Sequence, residues 1–198
     1  MTTTSTLTIT RRNLPHWHRE NAIYWITFRL ADSLPLNKLH KWKAHRQAWC
    51  IQHPPPWTDE EWREYHTRFG DKLECWLDAG FGKCVLRHLN IRSEVVRALC
   101  HFHRERYLIH HGVVMPNHVH LLLEPFPGHG LSGILKGMKG VSSKRCNQLL
   151  HTRGRFWMAE SYDHIVRSRA QYYHYVRYID ANPIKARLRP DEFWMWKR

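Results

Sequence analysis

The stretch Gly112 to Pro125, GVVMPNHVHLLLEP, decides how the rest of the chain is read. An apolar run breaks at Met115-Pro116-Asn117, and a second begins at His118-Val119-His120. Pro and Asn supply turn chemistry, and so short a connection predicts an antiparallel hairpin. Side chains alternate faces along a strand, so His118 and His120 project from one face. Val119, Leu121 and Leu123 point the other way. Two imidazoles side by side on a rigid apolar strand make half of a metal site.

The pattern His-x-His also occurs at His16/His18 and His101/His103, in a chain with 17 histidines. The first pair lies in a polar arm. The second lies in a predicted helix, where residues two apart do not share a face. Only His118 and His120 combine strand spacing with an apolar setting, where two polar rings need a compensating role.

The composition restricts the function classes. Hydrophobic residues make up 42% and aromatics 13%, which predicts one folded domain over residues 1–198 with a substantial core. Lys and Arg number 31 against 17 acids, a formal charge of +14, which favours a polyanionic partner and nucleic acid above all. No apolar stretch reaches the length of a membrane span, and Met1 to Arg12 has no apolar segment of a signal peptide. The five cysteines are scattered, with no Cys-x-x-Cys pair, which fits neither a zinc ribbon nor a disulfide framework. A reducing, cytoplasmic setting is expected, with no membrane partner.

Residues 1–20 read as a flexible basic arm. Asn21 to Leu30 is rich in β-branched and aromatic residues and reads as the first strand, with a semi-polar face of Trp25, Thr27 and Arg29. Residues 36–82 read as a helical insertion. One helix spans Lys38 to Ile51 and is stopped by the prolines after His53. A second, capped by Thr58, carries Trp62, Tyr65, Phe69, Leu73, Trp76 and Leu77 at helical spacing to about Asp78. Core packing is the simplest account of those aromatics. A further helix is expected within Leu86 to Tyr107, then strands at Arg106–Met115 and His118–Glu124. Leu131 to Leu150 reads as a helix with Leu131, Ile134, Leu135, Met138, Val141, Cys146 and Leu149 inward. Lys136, Lys139, Lys144 and Arg145 on its other face are candidate phosphate contacts. A short extended segment follows within Gly154–Val166. The last helix, capped by Ser168, is expected to end near Asn182-Pro183. The fold class is α+β: a ferredoxin-like antiparallel sheet with helices on one face, plus the insertion.

Two imidazoles need a third ligand, and oxygen donors suit a hard cation such as Mg²⁺ or Mn²⁺. The last helix offers one. Tyr178 and Asn182 are one helical turn apart and share a face. Asn182 can present its amide oxygen to a metal, and Tyr178 a phenol that can attack phosphorus as a covalent nucleophile. Tyr162 is a rival nucleophile.

Val114-Met115-Pro116-Asn117-His118-Val119-His120-Leu121-Leu122 resembles the signature of the HUH single-strand DNA nucleases. Arg177-Tyr178-Ile179-Asp180-Ala181-Asn182-Pro183-Ile184-Lys185-Ala186 resembles the motif of the REP-associated tyrosine transposases (RAYT). Tyr162 to Arg167 is similar to the segment that precedes that helix in the same family. The resemblance covers about Asn21 to Leu188. The departure is the helical insertion, larger than in compact members.

The resemblance implies a single-tyrosine HUH transposase that cuts single-stranded DNA near a hairpin, of the kind formed by a REP palindrome. It implies a 5′-phosphotyrosine on Tyr178, and Mg²⁺ or Mn²⁺ held by His118, His120 and Asn182. Asp163 and His164 are placed near the site by the same resemblance. Glu124 shares the histidine face and could support a ligand. Arg167 and Lys185 are further candidate phosphate contacts. A monomer and a homodimer are both compatible. The alternatives are a catalytically silent hairpin DNA- or RNA-binding regulator with the same fold, and a metal-dependent hydrolase that uses water.

Overall fold

A computed structural model describes residues 8–11, 15–18, 22–54 and 57–198 of the chain. Within the N-terminal arm, β1 (Thr8–Arg11) and β2 (Pro15–His18) pair as an antiparallel ribbon where the sequence reads as an unstructured arm; the arm's other residues lie outside the described residues. The strand expected from Asn21 is β3 (Tyr24–Arg29), with all six residues buried; Asn21 itself lies outside the described residues.

The insertion folds as α1 (Leu36–Gln52), α2 (Asp59–Tyr65), a π-helical turn (His66–Gly70) and α3 (Asp71–Asp78). Thr58 and Glu61 cap α2 reciprocally: the Glu61 N–H donates to Thr58 Oγ1 at 3.2 Å, and the Thr58 N–H donates to Glu61 Oε2 at 2.7 Å. The π turn interrupts what the sequence reads as one helix, and the Trp42 indole N–H donates to the Phe69 carbonyl there, at 3.2 Å. Trp49, Trp57, Tyr65 and Phe69 form one small core of the insertion, and Leu34, Leu39, Leu73 and Leu77 another, as the packing account expects.

After the insertion come α4 (Leu89–Cys100), β4 (Tyr107–Val114), β5 (His118–Pro125), α5 (Leu131–Leu149), β6 (Tyr162–Ile165), α6 (Arg169–Lys185) and β7 (Trp194–Lys197). The strands form one antiparallel sheet in the order β6-β3-β5-β4-β7. Its first four strands have the ferredoxin-like arrangement, with the hairpin partner β5 inserted beside β3. The edge strand β7 falls in a tail that the sequence shows only as aromatic and basic. Four residues are too few for a period-two signal, and pairing with β4 is what makes them a strand.

Helices α4 and α5 cover one face of the sheet. Their Ile91, Val95, Leu99, Leu131, Leu135 and Met138 pack on Tyr24, Ile26, Phe28, Ile109, Val119, Leu121 and Leu123. Val141 and Leu149, expected inward on α5, are instead 47% and 46% exposed, because the apolar stripe is narrower than the sequence pattern. The expectation of helices on one face holds for this pair. Helix α6 lies across the other face, over Trp25, Val113 and Leu122. A β-bulge at His110 shifts the register of β4, so that His111 meets α6 through Asp180 at 3.0 Å.

Helix α6 does not stop at Asn182-Pro183. It runs to Lys185, because a proline near the end of a helix forfeits one backbone bond and the last turn is closed by other means. The Leu188 N–H donates to the Pro183 carbonyl at 3.0 Å and the Arg187 N–H to the Ile184 carbonyl at 3.0 Å, with Arg187 left-handed at φ 53°. That is a Schellman closure without glycine. Asn182 therefore stays helical, on the same face as Tyr178. No helix among the described residues is long and apolar enough to cross a membrane.

Candidate active site

The face of the sheet beneath α6 carries His118 and His120 from β5, both fully buried, with ring centroids 4.5 Å apart. Each ring is oriented through Nδ1. His118 Nδ1 lies 2.7 Å from Asn117 Oδ1, and His120 Nδ1 lies 2.8 Å from Thr27 Oγ1. Asn117 has no freedom to turn its amide over: Nδ2 donates to the Leu77 carbonyl at 3.1 Å and the Phe81 carbonyl at 3.2 Å. Its oxygen must face His118, so His118 carries its proton on Nδ1 and presents a lone pair at Nε2. Both Nε2 atoms are buried and have no protein partner. Burial pushes the His118 imidazolium down to about 3 and the His120 imidazolium well below its ordinary value, so both rings are neutral near pH 7.

Helix α6 brings Asn182 and Tyr178 to this pair in the same chain. Asn182 is fully buried, and neither amide atom has a hydrogen-bond partner. It faces His118 on one side and Asp78, the last residue of α3, on the other. The approach to each is looser than a hydrogen bond, since Asp78 Oδ1 also lacks a partner within reach. The carboxylate draws the amide N–H, which leaves the oxygen on the side of the imidazole lone pair, two donors to any cation between them. Burial raises the Asp78 carboxyl, opposed by the Lys185 ammonium and by Asn182.

The Tyr178 hydroxyl is buried and its ring stands edge-on to His120, centroids 5.3 Å apart. Trp25 forms the floor. It stacks on His120 at 4.8 Å and on Tyr175 at 4.5 Å, and meets Tyr178 edge-on at 5.5 Å. The Lys185 ammonium lies 5.3 Å from the Tyr178 ring centroid.

The remaining sequence-derived candidates divide. His164 is buried on the same face, but its Nε2 lies 2.7 Å from Gln171 Nε2 of α6, and its ring lies by Tyr175 rather than by the imidazole pair. Asp163 alternates with it onto the face that carries Ile165, away from the pair. Glu124 does share the histidine face, yet its partner is His110 Nε2 at 2.8 Å, not a ring of the pair. Lys136, Lys144 and Arg145 lie on α5, across the sheet from the pair, and Arg145 pairs with Glu94 at 3.4 Å. Lys139 is not an outward phosphate contact: its ammonium donates to the Ala159 carbonyl at 2.9 Å and to Ser161 Oγ at 3.1 Å. Arg167 is exposed at the start of α6. Of the six basic candidates, Lys185 is the one that reaches the site.

Sequence reasoning did not single out Thr27, Asn117, Trp25 or Asp78 for the site. Thr27 and Trp25 were signalled by the semi-polar face of β3. Asn117 read as a turn residue, and nothing local marks Asp78.

The donors that could hold a cation are His118 Nε2, His120 Nε2 and the Asn182 oxygen. Among the described residues no three His, Cys, Asp or Glu side chains gather at one point, so a metal here depends on the amide as third ligand. Buried ring nitrogens and an amide with no protein partner fit that use.

Residues 88–182 match the model of the family described as transposase IS200 like. The matched segment covers just under half of the chain. It begins one residue before α4 and ends at Asn182, so the IS200-like segment contains both histidines, Tyr178 and Asn182. Thr27, Trp25 and Asp78 lie outside it. A comparison with curated proteins finds no match. Among solved structures the chain is similar to a REP-associated tyrosine transposase bound to a REP hairpin, at 15% identity and a TM-score of 0.42, covering 84% of this chain and 68% of that one. It is also similar to a protein from Deinococcus radiodurans R1 described as a candidate transposase, at 17% identity and a TM-score of 0.33, covering 81% of this chain and 89% of that one. Neither likeness is close enough to transfer a residue role.

Proposed function

We propose that this protein is a transposase that cuts and rejoins single-stranded DNA beside a hairpin through a covalent bond between Tyr178 and a 5′-phosphate. The observation that carries the reading is the meeting of α6 with β5: the Tyr178 ring lies 5.3 Å from that of His120, above two neutral imidazoles whose Nε2 atoms have no protein partner. The resemblance of the Arg177–Ala186 segment to the REP-associated tyrosine transposases supports the hairpin as the recognised feature.

The chemistry balances without a further reactant. The Tyr178 oxygen attacks phosphorus and loses its proton, the bond from phosphorus to the 3′-oxygen breaks, and that oxygen takes up a proton to leave as a free 3′-OH. Re-attack by a 3′-OH reverses the step and joins strands. Mg²⁺ or Mn²⁺, held by His118, His120 and Asn182, would supply polarisation of the scissile phosphate. Thr27 and Asn117 hold the two rings in register, and Lys185 sets a positive charge beside the phenol. Trp25 stacks on His120 and helps fix the plane of its ring.

A labelled hairpin oligonucleotide with a single-stranded flank, incubated with the chain and Mn²⁺ and run on a denaturing gel, tests this. A covalent protein–DNA band that is lost in Tyr178→Phe is the expected result. A band that persists there and disappears in Tyr162→Phe moves the nucleophile to β6, two strands from the histidines. Cleavage without a band indicates a hydrolase, and binding without cleavage indicates a regulator.

A further inference from the structure

The insertion is built around its own aromatic core, yet part of its aromatic surface is left out of that core. Between α1 and α3 lies a groove of about 560 Å³ lined by Lys38, Lys41, Trp42, Arg68, Lys72 and Trp76 among others, with no acid among the described residues that line it. Trp42 and Trp76 are only partly buried, while Lys41, Arg68 and Lys72 are exposed. Cations and rings alternate along it. The Lys38 ammonium lies 5.7 Å from the Trp76 centroid and 4.6 Å from that of Phe81, and the Lys72 ammonium lies 5.5 Å from Trp76. Arg68 lies 5.9 Å from the Phe69 ring and is also paired with Glu64 at 3.3 Å.

The groove is tied to the imidazole pair by a short path. Trp76 lies on the last turn of α3, next to Leu77, whose carbonyl accepts from Asn117 Nδ2 at 3.1 Å. Phe81, beneath Lys38, supplies the other carbonyl that holds Asn117, at 3.2 Å. Asn117 in turn orients His118. The end of α3 thus belongs both to the groove and to the support of the site.

We propose that the α1–α3 groove binds the single-stranded segment of the DNA substrate and leads it toward the site at His118, His120 and Tyr178. This rests on the reading of the chain as a single-strand nuclease. A single strand is the ligand whose chemistry fits: its phosphates complement the cations of Lys38, Lys41 and Lys72, and its unpaired bases stack on partly exposed indoles. Duplex DNA keeps its bases paired and offers nothing to the indoles.

The test uses the full chain carrying Tyr178→Phe, so that binding is read without cleavage. The probes are a fluorescent DNA hairpin with a single-stranded arm of about 12 nucleotides, within the roughly 4–16 that one groove tracks, and the same hairpin without the arm. Adding Lys41→Ala and Lys72→Ala, both at exposed positions, is expected to weaken binding of the armed hairpin about 10-fold. The same change should shift the bare hairpin less than about 2-fold. The slope of log affinity against log salt for the armed probe should fall by about 1.4, for two lost phosphate contacts on a single strand. Trp76→Ala should reproduce the loss, and Trp76→Phe should restore most of it. Equal losses for both probes, or none for either, overturn the groove while leaving the nuclease reading intact. Tighter binding of an RNA arm than of the DNA arm overturns the assignment to DNA. No binding of either probe by the unmutated groove overturns both readings together, and groove-dependent binding in a chain that never forms the phosphotyrosine band leaves the groove standing alone.

Discussion

Asn117 Oδ1 lies 2.7 Å from His118 Nδ1, and the same amide is held from behind by the carbonyls of Leu77 and Phe81. One side chain therefore joins the insertion to the candidate metal ligand and sets that ligand's tautomer. Asn117→Asp replaces the N–H donors with an oxygen facing two carbonyls. It is expected to weaken Mn²⁺ binding by about 10–100-fold, the usual cost of losing a partner behind a ligand, and to lower stability by roughly 1–3 kcal/mol. Isothermal titration with Mn²⁺ and a denaturant melt read the two effects. Unchanged Mn²⁺ affinity would show that His118 is not oriented in this way.

Thr27 does the same for His120 from the neighbouring strand, at 2.8 Å. Thr27→Val keeps the shape and removes the hydroxyl. The expected outcome is a loss of Mn²⁺ affinity of about 10-fold with a stability change of only about 1 kcal/mol. Thr27→Ser should recover the affinity. If Val and Ser behave alike, the hydroxyl has no part in positioning the ring.

Asp78 reaches the site from the end of α3 and faces Asn182 and Lys185. Its carboxylate favours the amide orientation that leaves the Asn182 oxygen turned toward His118. Asp78→Ala removes that preference, and the expected result is weaker Mn²⁺ binding, by about 10-fold, together with slower formation of the covalent DNA adduct. Asp78→Asn, which can accept from the Asn182 N–H, should lose less than Ala. Equal Mn²⁺ affinity in all three proteins rules the role out.

Stability should fall in mild acid. Burial depresses both imidazoles, His118 to about 3, below an unfolded value near 6.5. Between those values the unfolded chain binds protons that the folded chain refuses. Folding stability therefore rises with pH from about 3 to 6.5 and is lost as pH falls through that window, by roughly 1 kcal/mol per pH unit for His118, with His120 acting in the same direction. Chemical denaturation at a series of pH values measures it. His118→Gln should flatten part of the slope, and a slope unchanged by that substitution would place the protonation elsewhere.

The hairpin, the histidine face and the pairing of Tyr178 with Asn182 were legible in the sequence because each rests on local periodicity: two residues along a strand, one turn along a helix. Core packing of the insertion's buried aromatics was legible for the same reason. The π turn was not, because one extra residue in a helix leaves the apolar spacing almost intact. Nor was β7, whose strand character comes from its partner β4. The helix end was misplaced by a local rule. Pro183 marks a probable stop, but Arg187 and Leu188 close the helix beyond it.

By itself, the sequence determined the parts of the site that lie within single elements: two imidazoles from β5, a phenol and an amide from α6. Only the tertiary structure decided what surrounds them. Thr27 meets His120 across a strand pairing of residues far apart in the chain, and Asp78 and Leu77 arrive from an insertion with no local mark of function. The basic candidates of α5 went to the opposite face, because a helix can pack on either side of a sheet and its charge pattern does not say which. Periodicity encodes which side chains of one element share a face. What that face meets is settled by long-range packing.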